Sequence, residues 1–128
     1  MGQPAAKDGD KVVATDLHTV ITPGPSSALL PHLFSGSLDG ELAASVKVDG
    51  KQAAVSESTC RNSPGHVPTP PGTSFVNAPS NSGTVKGGSG TVRICGKPAA
   101  RANDMAQTCS ESPGADGQIV GTSSVKVG

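Results

Sequence analysis

Histidine and cysteine are the side chains of this sequence that are best suited to metal chemistry, and each occurs three times. Imidazole nitrogen and thiolate sulfur suit Zn²⁺, whereas Ca²⁺ or Mg²⁺ would require carboxylates converging on one loop, and the sequence has no such cluster. An odd number of cysteines argues against a disulfide framework and favours metal ligation or plain burial. The residues concerned are His18, His32, His66, Cys60, Cys95 and Cys109.

Two of the cysteines have local interpretations. Cys60 and His66 are separated by only five residues, so they could chelate a metal within one loop. Cys95 ends an alternating segment and lies on the face opposite Val92 and Ile94. We therefore interpret Cys95 as a structural residue of a short strand.

The elements that position these residues must fold with little apolar material. The 128 residues match a single domain, predicted to span 1–128, and include two phenylalanines, no tryptophan or tyrosine, 17 glycines and 11 prolines. A domain of this length buries roughly two-thirds of its unfolded surface, but the buried groups here would be mostly Val, Ala, Ile and Leu. We expect that something besides core packing stabilises the fold.

Three segments share one alternating pattern. Apolar and basic residues follow one another with a period of two, and each segment ends in glycine, as expected of a short, half-buried strand that leads into a tight turn. We predict that each segment belongs to a β-hairpin and that the fold is mainly β. The segments are 46–50, 92–96 and 125–128.

A second repeat overlaps the first. Gly9 in one copy aligns with Asn103 in another, and because Gly and Asn adopt positive φ most readily, both positions are predicted to make the same turn. Asp10 and Asp104 would follow that turn, where a carboxylate can accept backbone N–H bonds, so we interpret them as capping rather than catalytic residues. The copies are 4–10, 98–104 and a degenerate 52–54.

Two stretches between the repeats, 23–39 and 60–82, are rich in Pro, Gly, Ser and Asn. They are predicted to be long irregular loops. No segment shows a sustained helical period, and 28–30 offers at most one helical turn. The three histidines lie in or beside these stretches, so a bound metal is one way to pin them.

Charge and hydropathy disfavour several functional classes. Ten basic and ten acidic residues give a formal net charge of zero with no run of one sign, which argues against a nucleic-acid surface. The first residues contain four charged side chains and no apolar block, so we expect no secretory signal. No stretch approaches the roughly 20 apolar residues that span a bilayer. We expect a soluble product made in the cytoplasm.

The second repeat and its surroundings resemble the proline-alanine-alanine-arginine signature of the PAAR-repeat family. Residues 96–101 read Gly-Lys-Pro-Ala-Ala-Arg and are followed by Asp104 and Cys109. The sequence departs from the family pattern at Lys7, where the family has arginine, and at Asn103, where the family usually has glycine. Further segments extend the resemblance over nearly the whole chain, namely 16–20, 31–36 and 120–128.

The resemblance implies a small cone of short hairpins whose point is tied by one structural Zn²⁺. It also implies a structural tip protein that caps and sharpens a trimeric β-helical spike of a contractile injection system and aids membrane puncture. The implied partner is a VgrG-type or phage-like spike protein, with one copy of the chain per trimer, a transiently contacted target membrane and effector proteins as further candidates. The protein would be exported with the particle. The implied ligands are His18, His32, His66 and Cys109.

An enzyme is the alternative class, as a small zinc-dependent or Cys/His hydrolase. A zinc hydrolase keeps an open metal position beside a glutamate base, but the sequence has no His-Glu-x-x-His motif, and none of its glutamates adjoins a histidine in sequence. Nucleophilic chemistry at Cys60 or Cys109 is the other enzymatic route. We predict a protein that is not an enzyme.

Overall fold

Every regular element of the described residues is a β-strand, as the alternating segments predict. The computed structural model describes residues 2–24, 26–111 and 117–128. The strands are β1 (Gln3–Pro4), β2 (Lys11–Thr22), β3 (Ser26–Gly40), β4 (Ala43–Val48), β5 (Lys51–Ala53), β6 (Thr59–Asn62), β7 (Ser74–Phe75), β8 (Ser82–Val85), β9 (Arg93–Ile94), β10 (Lys97–Pro98), β11 (Met105–Gln107), β12 (Gly117–Val120) and β13 (Lys126–Val127).

Six of the strands close into a small barrel. They follow one another in the order β12, β11, β8, β6, β3 and β2, and β12 also pairs with β2, which completes the ring. Closure removes the free sheet edges that an open sheet of this size would expose. Each of the six strands contributes to one buried apolar cluster, which includes Val12, Phe34, Leu38, Cys60, Val85, Ala106 and Ile119.

The β2–β3 hairpin extends past the rest of the barrel. Its pairing runs from Lys11 opposite Ser37 to Thr22 opposite Ser26, whereas β12 pairs with β2 only as far as Val13. The outer half of β2 pairs instead with β7. The β2–β3 hairpin therefore projects from the barrel, and β7 pairs with the edge of β2 in this projection.

The prediction of an irregular loop over 23–39 is wrong for residues 26–39, which lie in β3. The predicted helical turn at 28–30 lies in the same strand, and Pro25 lies outside the described residues. Composition was misleading because Pro, Gly and Ser are numerous in this stretch. The alternation of a strand is nevertheless present, since the buried positions are His32, Phe34, Gly36 and Leu38.

Pro31 is accommodated inside β3 because the residue opposite it on β2 makes its backbone hydrogen bonds with another segment. Leu17, opposite Pro31, donates its N–H to Ser110 Oγ and accepts the N–H of Glu111 at its carbonyl. The missing N–H of proline therefore leaves no ladder bond unmade. In the second stretch, the prediction of an irregular loop is confirmed for most of 63–81, because the described residues in this range contain a single strand, β7.

Three short hairpins lie at the opposite end from the projection. We call them the base hairpins: β4 with β5, β9 with β10, and β13 with β1. The predicted hairpins are confirmed for 46–50 and 92–96, whereas segment 125–128 forms the predicted strand but pairs with β1 from the other end of the chain, with no turn between the two. Cys95 is a correction, since it is exposed and lies in the turn after β9 with φ 51°, beside Gly96 at 83°. Asp49 and Gly50 form a matching turn, with φ of 51° and 83°.

The strands that leave the base hairpins meet in a closed hydrogen-bonded ring of three alanines. The N–H of Ala6 donates to the carbonyl of Ala100 at 2.9 Å, that of Ala100 donates to Ala54 at 3.1 Å, and that of Ala54 donates to Ala6 at 3.0 Å. All three residues are buried. We call this set the alanine ring; it relates the three repeats by an approximate threefold axis.

The turns after the ring are also equivalent. Gly9 and Asn103 have positive φ, at 91° and 74°, as predicted. Asp10 Oδ2 accepts the N–H of Lys7 at 3.0 Å, and Asp104 Oδ2 accepts that of Arg101 at 2.8 Å, so both aspartates cap their turns. The third copy has Glu57 with φ 80° and Ser58 Oγ, which accepts the N–H of Val55 at 3.0 Å. No helix within the described residues is long and apolar enough to cross a membrane.

Candidate metal centre

Three histidine rings meet on the inner face of the β2–β3 projection. His18 comes from β2, His32 from β3 and His66 from the loop after β6. The ring centroids are 5.0 Å apart for His18 and His66 and 5.5 Å apart for each of the other two pairs. Phe75 on β7 packs against His18 and His32, at centroid distances of 5.7 and 5.3 Å. Three of the predicted ligands therefore converge.

Cys109, the fourth predicted ligand, joins this cluster together with Asp16. Its Sγ lies 3.6 Å from His18 Nε2 and 3.3 Å from Asp16 Oδ2, and His66 Nε2 lies 3.0 Å from the same carboxylate oxygen. One donor atom from each of Asp16, His18, His66 and Cys109 lies within 4.8 Å of all the others. Nitrogen, sulfur and carboxylate oxygen in this arrangement fit a transition-metal ion such as Zn²⁺.

The geometry of a β-strand explains why the side chains of Asp16 and His18 lie in the same cluster. Residues two apart in a strand point to the same face, and both side chains are buried, at 0% and 1% exposure. The segment that carries Cys109 runs alongside β2. Thr108 Oγ1 donates to Asp16 Oδ1, Ser110 Oγ accepts the N–H of Leu17, and the N–H of Glu111 donates to the Leu17 carbonyl. The metal donors of two distant segments are thus brought together by a run of consecutive contacts.

His18 presents Nε2 to the donor group, 3.6 Å from Cys109 Sγ, and directs Nδ1 toward Glu111. Its Nδ1 is buried and has no hydrogen-bond partner within the described part of the chain; Glu111 Oε2 lies 3.6 Å away, beyond hydrogen-bonding distance. Burial lowers the pKa of His18, and the neighbouring His66 lowers it further. The neutral imidazole is the form that binds metals.

Cys60 is buried and Cys109 is half-buried, and the two thiols differ in position. Burial raises the pKa of Cys109 to about 11, and its hydrogen bond to Asp16 contributes to the increase. Burial likewise raises the pKa of Cys60 to about 11. Cys60, however, packs in the barrel core rather than in the donor group. The local chelate of Cys60 with His66 is therefore not the arrangement that the structure brings together.

His32 is close to the donor group, but both of its ring nitrogens are already bonded to backbone. Nδ1 lies 2.9 Å from the carbonyl of Leu30, and Nε2 accepts the N–H of Thr69 at 3.1 Å. Because a carbonyl can only accept, Nδ1 carries the proton and Nε2 is the acceptor. His66 also has two partners, Asn62 Nδ2 at 3.3 Å and Asp16, but the second belongs to the donor group itself.

The comparison with protein families matches a segment that contributes to both the alanine ring and the donor group. The family described as PAAR motif matches residues 77–128, which include the 98–104 copy of the repeat and Cys109. The chain carries a PAAR motif. No match emerged among curated proteins. The resemblance predicted from residues 96–101 is confirmed.

Asp16 is the functional candidate that the sequence analysis missed. A single carboxylate two residues before a histidine is common in any sequence and carries no distinctive spacing. The available signal was the period of two in β2, which places Asp16 on the buried face with His18, combined with the expectation that a buried carboxylate has strong partners.

Proposed function

We propose that this protein is a structural tip of a contractile injection system, which caps a trimeric β-helical spike and sharpens it for membrane puncture. The observation that carries the proposal is the PAAR motif at residues 77–128, since this motif supports a spike-tip role in such systems generally. The type of injection system, a type VI apparatus, an extracellular particle or a phage-like tail, follows from the identity of the cognate spike.

The alanine ring supports a match between one chain and a trimer. Three base hairpins, placed around an approximate threefold axis, offer three similar strand edges from a single polypeptide. A trimeric spike presents three equivalent edges at its end, and backbone pairing between strands would cover all six. We propose one copy per VgrG-type or phage-like trimer, with effector proteins as cargo and export together with the particle.

A structural Zn²⁺ is part of the proposal. His18, His66 and Cys109 are shared by the sequence prediction and the donor group, while His32 is the fourth ligand that the family resemblance implies. A closed site of this kind would supply stability rather than chemistry. It would fasten the β2–β3 projection to the loop that contains His66 and to the segment that contains Cys109. We expect about one zinc per chain by elemental analysis.

The mass of the complex with the cognate spike tests the capping proposal. We expect one chain per spike trimer. Lys47→Pro removes an N–H from a base hairpin and should abolish binding, whereas the matched change Lys47→Ala should weaken it only modestly, because pairing uses backbone groups. Three chains per trimer, or no binding by the native chain, would refute the architecture. The zinc content of each variant shows whether its fold is retained.

A further inference from the structure

We propose that the base hairpins form a cationic docking surface, which selects a spike whose end carries acidic side chains around its threefold axis. This proposal rests on the proposed capping function and adds the charge of the partner to it. The net charge of zero is not evenly distributed over the fold. The strands and turns of the base hairpins contain five basic residues and one acidic residue, whereas the rest of the chain contains five basic and nine acidic residues.

One basic residue occupies the same position in each base hairpin. It is paired with the residue that opens a copy of the second repeat, two positions before an alanine of the alanine ring. The pairs are Lys47 with Gln52, Arg93 with Pro98 and Lys126 with Pro4. The approximate threefold axis of the alanine ring therefore also relates these three cations.

The three cations point away from the apolar side of the hairpins. Each lies between two apolar residues of an alternating strand. The next residue of each strand belongs to a second apolar cluster or packs against it: Val48, Val127 and Ile94. Because successive residues of a strand point to opposite faces, the basic side chains lie on the outer face, and all three are exposed.

No carboxylate neutralises these cations within the part of the chain that the structure describes. None of the ion pairs found there includes a residue of the base hairpins. Asp49, the acidic residue of the base hairpins, accepts the N–H of Ser124 at 2.8 Å and also its hydroxyl. Arg93 donates to the carbonyl of Gly96 at 3.3 Å and remains exposed. The cations are therefore available to a partner.

Protection of exposed strand edges would explain a charge at these positions but not its sign. Lysine and glutamate both serve to prevent pairing between edges. A second set of equivalent positions opens the returning strand of each hairpin, and it consists of Lys51, Lys97 and Gln3. Over the two sets, five of the six residues are basic and none is acidic. Like charges concentrated at one end repel one another in the free protein, and an anionic partner would remove that repulsion.

Strand pairing determines where the anions of the partner must lie. Side chains that lie directly opposite each other on one face of paired strands have Cβ atoms about 4.5–5.5 Å apart. A symmetric trimer presents each of its residues three times around the axis. One acidic residue near the end of each spike protomer would therefore meet Lys47, Arg93 and Lys126 at once. The partner surface that fits is a threefold ring of carboxylates.

Association kinetics with the purified cognate spike trimer test the proposal. The triple variant Lys47→Gln, Arg93→Gln, Lys126→Gln removes three charges, and we expect its association rate at low salt to fall at least about tenfold. At about 1 M salt, where the Debye length is roughly 3 Å, it should associate as fast as the native chain. Each single change should reduce affinity by less than about fivefold, because one exposed pair contributes little.

A second triple variant, Lys11→Gln, Arg61→Gln, Lys86→Gln, is the matched control. It removes the same number of charges from exposed residues outside the base hairpins, so we expect its association rate to fall less than about threefold. The double variant Lys47→Arg, Lys126→Arg keeps the charge and should associate like the native chain. Circular dichroism checks that each variant is folded.

The salt dependence of native association provides a measurement that needs no variant. We expect the native rate to fall steeply as salt rises. A native rate that is insensitive to salt, or equal rates for the two triple variants, would overturn the cationic surface and leave capping intact. If the native chain does not bind the spike at any salt concentration, capping itself fails, so the two failures are distinguishable.

Discussion

The two ends of this molecule are stabilised by different kinds of interaction. At the base, three copies of a short motif pair through backbone atoms in the alanine ring, and no side-chain chemistry is required. The donor group at the β2–β3 projection contains no repeated motif, and its members meet through their side chains: Asp16, His18, His66 and Cys109. The base repeats a backbone pattern, whereas the candidate metal centre depends on individual residues.

The difference explains where substitutions are tolerated. The third copy of the repeat has lost Pro, Arg and Asp, with Gln52, Val55 and Ser58 in their places, and still forms the ring and the turn. Ser58 Oγ makes the same bond to the backbone as the two aspartates do. In the donor group each atom has a separate role, so one substitution removes a quarter of the proposed coordination.

Removal of the metal should have the largest effect. Structural zinc contributes on the order of 10 kcal/mol, which is comparable to the whole stability of a small domain. We expect a chelator in mild denaturant to unfold the chain in step with zinc loss, followed by circular dichroism and elemental analysis. Hydrogen exchange at Ala6, Ala54 and Ala100 would show whether the alanine ring opens together with the projection.

Retention of full β structure after complete zinc removal would show that packing alone maintains both ends. Cys109→Ser provides the matched variant without a chelator, and it should lose both the metal and the associated stability. Cys60→Ser should keep its metal, because Cys60 packs in the barrel core outside the donor group.

A smaller effect is expected at the turn of the degenerate copy. Glu57 has φ 80°, where the equivalent residue of the first copy is Gly9. A left-handed conformation costs roughly 1–2 kcal/mol for a residue with a Cβ, so Glu57→Gly should be more stable than Glu57→Ala by about 1 kcal/mol. Both changes remove the exposed pair with Lys86, so the comparison isolates the backbone. Urea denaturation provides the measurement, and equal stability would indicate that the turn is not strained.

Sequence reasoning located the base better than the projection. Period two and terminal glycines identified the hairpins, and matched Gly9 and Asn103 identified the turns, because these features depend on neighbours in sequence. β3 was missed because its proline and glycine content hid the alternation that includes His32 and Phe34. The contact between Asp16 and Cys109 joins residues 93 positions apart, and no local pattern encodes such a contact.

The smallest effect should come from moving the chain ends from one base hairpin to another. Val127 pairs with Gln3 as Val48 pairs with Lys51, so Gly128 and Gly2 occupy the positions that Asp49 and Gly50 occupy. The contacts around the three turns correspond as well: Ser124 bonds to Asp49, Ser45 to Cys95, and Thr91 to the carbonyl of Gly128 at 3.5 Å.

A permutant that joins Gly128 directly to Gly2 and opens between Asp49 and Gly50 should therefore fold with native zinc content. Two glycines suit a two-residue turn with positive φ, and the new ends would lie in a turn that is exposed. We expect the unfolding midpoint to change little, and the permutant should bind the spike like the native chain. A second permutant, opened between Cys95 and Gly96, is the matched control. If only one of the two folds, the base hairpins are not equivalent, and the threefold relation would describe hydrogen bonds without describing stability.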